Sequence, residues 1–178
     1  MEHTLRADEV GALVHGQLDL ERHPDGIAPL RLPTWTRPFH ADGGIDRMSA
    51  QGSGVQLRLM TAASAITLDA TFTRTVSPAH PARPLSVIAE TDAASCRVDL
   101  DEGDVLVEHP DRTATRRAGR RSHVSLTLGP TPVERLVTVW LPHTAATVLH
   151  ALTANAPVHA APADGPRWLH YGLSLIHI

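Results

Sequence analysis

Twelve histidines are enough to supply the imidazole ligands of a metal site. They are scattered, however, and no two of them have the i, i+2 or His-Glu-x-x-His spacing that directs two imidazoles to one ion. The positions considered are His15, His23, His40, His80, His109, His123, His143 and His150. We interpret them as surface and turn residues and predict no metal.

Carboxylates are dense around Gly103, where Asp99, Asp101, Glu102 and Asp104 follow one another closely. Oxygen ligands at this density are compatible with calcium. The spacing of a calcium-binding EF-hand loop is absent, and a charged tight turn explains the cluster. We therefore predict a turn and no bound cation.

One basic segment spans residues 112–121 and includes Arg116, Arg117, Arg120 and Arg121. Arginines can bind phosphates, but no aromatic residue lies among them to stack on bases. The formal net charge of -3 also gives no general attraction to nucleic acid. We predict a solvated connection between strands and no nucleic-acid partner.

Tryptophan could bind sugar, because an exposed indole stacks on a sugar ring. Trp35, Trp140 and Trp168 are half of the six large aromatic residues. Trp140 lies in a strand-like segment and is better suited to packing. An aromatic groove containing Trp35 or Trp140 at the surface would favour sugar binding, and burial of both would favour a packing role.

Cysteine usage and the N-terminal segment indicate the compartment. Cys96 is the single cysteine, which excludes an internal disulfide and suits a small buried thiol. Residues 1–10 carry Glu2, Asp8 and Glu9 without the apolar run of a signal peptide, and no later segment is apolar enough to cross a bilayer. We expect a cytoplasmic protein with no membrane partner.

The elements that must position any site are short strands. Residues 55–59 alternate apolar and polar, and Ile66, Leu68, Ala70 and Phe72 share one face of a second segment. We predict that these two segments form a hairpin joined by residues 61–64. Residues 124–128 repeat the alternation, and the denser run at 136–141 predicts a strand covered on both sides.

Further strands are predicted at residues 14–21, 28–31, 48–51, 85–90, 96–100, 105–108 and 148–153, and the only helical pattern is at 6–14. Turn-forming Gly, Pro and Asp residues separate the strands at short intervals. A chain of this length favours one domain. The sequence therefore predicts an all-β fold, an antiparallel β-sandwich of jelly-roll type, at residues 1–153.

The composition changes after Thr153. Residues 154–166 are rich in proline and alanine, which is typical of an interdomain linker. Residues 167–172 then resume as an apolar strand, predicted to be the first strand of a second domain.

Several segments together carry a family resemblance. They are residues 16–22, 30–35, 53–57, 139–143 and 155–158, and the Arg-Trp-Leu-His-Tyr-Gly sequence at 167–172. In their order and spacing they resemble the N-terminal domain of bacterial two-domain SGNH/GDSL hydrolases, which are esterase- or lipase-like proteins. The resemblance implies a jelly-roll domain that precedes an α/β catalytic domain.

The resemblance also implies where the nucleophile would lie. In these families the strand runs into Gly-Ser-Ser-Ile-Ser-His, whose second serine attacks the ester; a later Asp-x-x-His motif supplies the base and its orienting carboxylate. Gly172 and His177 match this pattern, Leu173 and Ile176 depart from it, and Ser174 falls on the nucleophile.

The composition of the last six residues argues against a catalytic Ser174. The chain has no lysine and is rich in arginine, alanine and proline, as in GC-rich coding, yet it ends in Ile-His-Ile. Residues 173–178 are also the translation of CTGTCTCTTATACACATC, the mosaic-end adapter of transposase-based sequencing libraries. We expect the native part of the given chain to end at Gly172, with residues 173–178 derived from the adapter, and we assign no catalytic residue.

These expectations describe an inactive, non-catalytic N-terminal domain of an SGNH/GDSL-type ester hydrolase. It would pack on the missing catalytic domain and shape its substrate cleft, with an acyl ester or a glycan as possible ligand and no cofactor. The alternative is a carbohydrate-binding β-sandwich module.

Overall fold

The computed structural model describes residues 2–40, 43–78, 84–111 and 113–162. Within these ranges most of the chain is β-strand, which confirms the all-β fold class. Helical structure there is limited to α1 (Ala7–Gly11), α2 (Gly43–Ser49) and a 3-10 helix (Thr34–Phe39). The strands are β1 (His3–Arg6), β2 (Val14–His15), β3 (Asp19–His23), β4 (Gly26–Leu30), β5 (Gln56–Thr61), β6 (Ala65–Val76), β7 (Leu85–Glu90), β8 (Ser95–Leu100), β9 (Asp104–Glu108), β10 (Ala114–Arg117), β11 (Ser122–Thr127), β12 (Arg135–Trp140), β13 (Ala145–Ala154) and β14 (Val158–Ala160).

The described strands form two sheets. The first has the order β10-β9-β6-β13-β4-β3, with β1 also paired to β13 and β11 also paired to β6. The second has the order β14-β5-β12-β7-β8, with β2 also paired to β5. Among the described strands only β6 and β9 pair in parallel. The chain passes repeatedly from one sheet to the other, so neighbours in sequence are often not neighbours in a sheet.

Alternation of apolar and polar residues explains which face of each strand is buried, because successive side chains of a strand point to opposite faces. Leu57 and Leu59 of β5 are fully buried, as are Leu68, Ala70 and Phe72 of β6. Buried side chains from both sheets belong to one hydrophobic core. A fully buried leucine contributes about 1.5–3 kcal/mol to folding, so these positions dominate the stability of the fold.

The predicted hairpin of residues 55–59 and 66–72 is wrong in its pairing. β5 pairs with β12 in the second sheet, whereas β6 pairs with β13 and β11 in the first. Residues 62–64 carry the chain between the sheets, and Asn155 holds this crossing by accepting a hydrogen bond from the Ser64 amide. Alternation specifies the buried face of a strand but not its partner, which explains the error.

Three further predictions need correction. β12 is covered on one face only, because Val137 and Val139 are buried while Leu136 is 37% exposed. The strand expected at 48–51 is absent, since α2 extends to Ser49 and only Gln51 makes a bridge, with Ala146. Residues 14–21 contain parts of two strands in different sheets, β2 and β3, because a positive φ at Gly16 turns the chain between them. The remaining predicted strands and the short N-terminal helix are present.

Part of the predicted linker lies against the second sheet. β14 pairs with β5, and Val158 is buried. Thr61 donates a hydrogen bond through its hydroxyl to the carbonyl oxygen of Pro157 at 2.7 Å. Proline and alanine are compatible with a short edge strand, so composition alone did not distinguish β14 from an extended connector.

Strand register defines two ends of the fold. At the Gln56 end, β5 begins opposite Trp140 of β12, and the Gly52 amide donates to the carbonyl oxygen of Ala145, where β13 begins. At the opposite Thr61 end, β5 finishes and β14 begins, with Val158 opposite Thr61.

Candidate interaction surface

The region in which the resemblance places a nucleophile lies outside the described residues. Ser174 and Trp168 lie outside the described residues, as do the predicted first strand at 167–172 and the adapter-like residues 173–178. Their roles therefore stay predictions.

The two described tryptophans differ in exposure. Trp35 is 71% exposed, whereas Trp140 is half-buried and donates its indole N–H to Glu90 at 2.8 Å.

The predicted basic segment and the acidic cluster meet at one pair of residues. Asp104 is buried and accepts hydrogen bonds from the Arg116 side chain and from the Gly119 amide, the latter at 2.7 Å. Asp99 instead contacts Ser86 and Arg97, so the carboxylates of the cluster point to different partners. The hydrogen bond from Ser86, followed by that from Arg97, lowers the pKa of Asp99.

Cys96 is half-buried against the core rather than fully buried.

His150 is the most enclosed histidine side chain among those in the described ion pairs, with 4% exposure. It lies where the register of β13 shifts between Leu149 and Ala151, a β-bulge that directs it to the outer face of the first sheet. Its Nδ1 lies 2.8 Å from the Asp25 carbonyl oxygen, and its Nε2 lies 2.9 Å from the Thr71 hydroxyl. A carbonyl accepts only, so Nδ1 carries a proton and donates, which fixes the ring.

A polar cavity of about 440 Å³ opens beside His150 and is lined by Arg6, Asp8, Arg22 and Asp25 among others. Arg22 and Asp8 form an ion pair across it. Both nitrogens of His150 are occupied by the fold, so this histidine has a structural role. Within the described ranges no group of three or more histidine, cysteine or acidic side chains could hold a metal ion.

A different region contains most of the unusual exposed surface. Of the eight large apolar side chains that are exposed in the described part of the chain, six lie between residues 18 and 48. We call residues 31–40 and 43–49, which follow β4 and include the 3-10 helix and α2, the excursion. Its exposed apolar side chains, here called the apolar set, are Leu32, Trp35, Phe39, Ile45 and Met48. Phe39 is 79% exposed and Met48 is 60% exposed. A group of large apolar side chains on one exposed segment is typical of an interaction surface.

Polar contacts hold the excursion against β3, an edge strand of the first sheet. The Asp19 carboxylate accepts hydrogen bonds from the Thr34 amide at 2.9 Å and from the Thr34 hydroxyl at 2.8 Å. These bonds lower the pKa of Asp19, the Thr34 amide having the largest effect. Arg37 makes a two-pronged pair with Glu21 at 2.6 and 2.8 Å, which lowers the pKa of Glu21 and raises that of Arg37.

Further polar contacts close the excursion on itself and on the sheet. His40 Nδ1 lies 2.7 Å from Asp46 Oδ1, which joins the end of the 3-10 helix to α2. The Arg31 amide donates to the Ser49 carbonyl at 2.8 Å, and Arg47 of α2 pairs with Glu108 of β9 at 2.7 Å. The excursion is therefore fixed at both ends and in its middle.

The polarity of the excursion is inverted relative to an ordinary surface loop. Thr34, Arg37 and Arg47 contact the rest of the domain, whereas the five side chains of the apolar set are exposed. Such an arrangement suits the binding of an apolar or aromatic surface and supplies no pair of nucleophile and base. Sequence reasoning missed it, although Leu32, Trp35 and Phe39 within eight residues that include Pro33 and Pro38 were a usable signal.

The match to a family model covers residues 13–150, which include the excursion and all of β2 to β12. The model describes the SsfX3 N-terminal domain. The chain belongs to the SsfX3 N-terminal domain family. This membership confirms the coarser part of the predicted resemblance, namely that the chain is an N-terminal domain.

Solved structures share the fold of this SsfX3 N-terminal domain. The salicylyl-acyltransferase SsfX3 from a tetracycline biosynthetic pathway matches with a TM-score of 0.72 and 19% identity, over 96% of this chain and 45% of that chain. A GDSL-like lipase from Bacteroides ovatus matches with a TM-score of 0.54 and 11% identity, over 91% of this chain and 44% of that one. The chain thus spans less than half the length of these solved proteins.

No curated protein matches the chain. Within the described residues, the helices are all too short, or not apolar enough, to span a membrane.

Proposed function

We propose that this chain is the non-catalytic N-terminal domain of a GDSL/SGNH-type ester hydrolase or acyltransferase. In this proposal residues 1–153 form a jelly-roll β-sandwich, residues 154–166 are the interdomain linker, within which β14 pairs with β5 of the second sheet, and residues 167–172 begin the catalytic domain. The native sequence continues beyond Gly172 in place of residues 173–178. The protein acts in the cytoplasm.

One observation carries the proposal: the family match extends over residues 13–150, and the solved relatives are more than twice as long as the part this chain covers. One relative is named an acyltransferase and the other a GDSL-like lipase. A domain of this family therefore accompanies acyl-transfer chemistry in at least one named case, which supports a catalytic domain as partner.

The proposed role of the domain is to pack on the catalytic domain and to form one wall of its substrate cleft. A wall supplies positioning rather than chemistry, and positioning alone can change a rate by orders of magnitude. The nucleophile, base and orienting carboxylate would all belong to the downstream domain. The 178-residue chain should accordingly hydrolyse no ester.

The test begins with the genomic sequence downstream of the codon for Gly172. We expect an in-frame continuation with a serine in a Gly-Ser-Ser-Ile-Ser-His-like context. The product of the complete gene should hydrolyse p-nitrophenyl acetate, and Ser→Ala at that serine should abolish the activity. The 178-residue chain and its Ser174→Ala variant should be equally inactive. A continuation without a hydrolase domain, or esterase activity that depends on Ser174, would refute the proposal.

A second candidate function is glycan binding, and the exposure of Trp35 and Phe39 favours it. Exposed aromatic rings on a β-domain can stack on sugars. Trp140 does not share that exposure, because its indole N–H is bonded to Glu90. Titration of the chain with soluble oligosaccharides, observed through tryptophan fluorescence, distinguishes the two functions; the primary proposal expects no saturable change.

A further inference from the structure

We propose that the excursion, through its apolar set, is the surface on which the catalytic domain of the same polypeptide docks. This inference rests on the function proposed above and adds the location of the contact. The surface is made of Leu32, Trp35, Phe39, Ile45 and Met48.

The first argument is the way in which the excursion is built. Thr34 donates hydrogen bonds to Asp19 of β3, and Arg37 forms an ion pair with Glu21 of the same strand. These polar groups of the excursion therefore lie on the side that faces the sheet. Three of the five exposed side chains, those of Trp35, Phe39 and Met48, are aromatic or methionine, which are residue types enriched at protein interfaces. A mobile loop would lose conformational entropy on binding, whereas a loop fixed in advance loses less.

The second argument concerns charge. Docking an apolar surface is unfavourable if it buries an unpaired charge. Here Glu21 is paired with Arg37, Asp46 contacts His40, and Arg47 is paired with Glu108. A partner can therefore cover the apolar set without stripping water from an isolated carboxylate or guanidinium of these pairs.

The third argument concerns the direction of the chain. β14 starts opposite Thr61 and runs to Ala160, opposite Leu59, and the Ala161 amide then donates to the carbonyl oxygen of Arg58. The chain thus runs toward the Gln56 end of the fold. The chain leaves the excursion at that same end, because the residues that follow it contact the start of β13. Gln51 forms a bridge with Ala146, and the Gly52 amide donates to the carbonyl oxygen of Ala145. Among the last described residues, β14 and Ala161 are therefore directed toward the end of the fold at which the chain leaves the excursion.

The fourth argument concerns the size of the partner. More than half of the SsfX3 acyltransferase chain lies outside its match to this domain. A stable interface covers about 800 Å² on each partner, which a domain of that size can provide and a short peptide cannot readily match. The covalent tether adds a high effective concentration, so a modest surface suffices.

The test compares the 178-residue chain with the product of the complete gene by hydrogen exchange. We expect the amides of residues 31–49 to exchange at least tenfold more slowly in the complete protein. Residues 133–136, at the Thr61 end, should exchange at the same rate in both proteins. Equal exchange at 31–49 in both proteins would overturn the inference.

Paired variants of the complete protein give the second readout. Trp35→Ala with Phe39→Ala should restore fast exchange at residues 43–49 and lower kcat/KM for p-nitrophenyl acetate about tenfold. Val133→Ala with Leu136→Ala is the matched control, because it removes two exposed apolar side chains at the opposite end. Equal kinetics and exchange in both double variants would overturn the inference.

The outcomes also separate the other possible occupants and the two levels of the proposal. Concentration-dependent self-association of the 178-residue chain that Trp35→Ala abolishes would make a second copy the occupant instead. Oligosaccharide binding lost in that variant would make a glycan the occupant. A complete gene product without any hydrolase domain defeats the proposed function, whereas an active two-domain enzyme with unprotected 31–49 defeats only the docking surface.

Discussion

The β3–β4 hairpin carries an aspartate at each end, and the two ends differ in what covers them. At one end Asp19 holds the excursion, whose apolar side chains remain exposed. At the other, Asp25 and Gly26 close over His150, whose side chain is almost fully enclosed. Both ends use an acidic residue and hydrogen bonds, so the residue types do not determine the outcome. At the Asp25 end the domain itself buries the His150 side chain, whereas at the Asp19 end the apolar side chains of the excursion are left exposed.

The largest expected effect comes from breaking the closed end with Gly26→Ala. An added Cβ would lie 2.6 Å from Val148 Cγ1, 2.7 Å from the Leu149 carbonyl oxygen and 2.9 Å from His150 Nδ1. Because backbone and a buried ring must move, we expect a loss of about 2–3 kcal/mol in the free energy of unfolding, measured by urea denaturation. Gly43→Ala is the control, since its Cβ meets only the end of the Arg47 side chain. Equal effects of the two substitutions would contradict the closed packing at Gly26.

The next largest effect comes from releasing the open end with Asp19→Ala. This variant removes the acceptor for the Thr34 amide and hydroxyl. We expect a loss of about 1 kcal/mol in unfolding free energy and faster hydrogen exchange confined to residues 34–40. Asp8→Ala, which removes an exposed partner of Arg22, should change neither quantity appreciably. Uniform acceleration of exchange across both sheets would indicate that Asp19 supports the whole fold instead.

Acidification should weaken the open end gradually. The pKa values of Asp19 and Glu21 are lowered in the fold, chiefly by bonds from Thr34 and Arg37 respectively. A carboxyl with a lowered pKa stabilises the fold above its ordinary value of about 4 and loses that contribution as pH falls through the folded value. We expect the stability difference between the wild type and Asp19→Asn/Glu21→Gln to shrink between roughly pH 5 and pH 2. Parallel stability curves over that range would count against the lowered pKa values.

The smallest effect should come from the apolar set itself. Trp35→Ala with Phe39→Ala in the 178-residue chain should change the unfolding free energy by less than about 0.5 kcal/mol, because exposed side chains lose little on truncation. Circular dichroism melts of the two chains would measure this. A loss of several degrees in Tm would mean that the two rings pack within the domain and are not available to contact a partner.

The sequence predicts the buried faces of the strands better than their pairing. Leu57 and Leu59 alternate with polar residues, and Leu68 and Phe72 share one predicted face; all four are buried, because period-2 alternation reports the buried face directly. Strand partners were not identified, since β5 and β6 follow each other in sequence yet lie in different sheets. Pairing depends on tertiary packing that a local pattern does not contain.

The excursion was missed for a related reason. Its apolar residues follow neither a strand nor a helix period, and the 3-10 helix contains Pro38. Met48 falls within the strand predicted at residues 48–51, although it belongs to α2 and is exposed. Recognising an uncovered surface requires knowing that the core is already complete without those side chains.

The pairing of β1 with β13 has a consequence for synthesis on the ribosome. His3 lies opposite Ala154 and Arg6 opposite Ala151, so a strand made early must wait for one made about 150 residues later. At typical translation rates of 5–20 residues per second, that interval is roughly 8–30 s. During this time β4 and β6 also lack their partner β13 and present unpaired edges. Nascent chains stalled before residue 145 should therefore recruit chaperones, whereas chains that have released β13 should not.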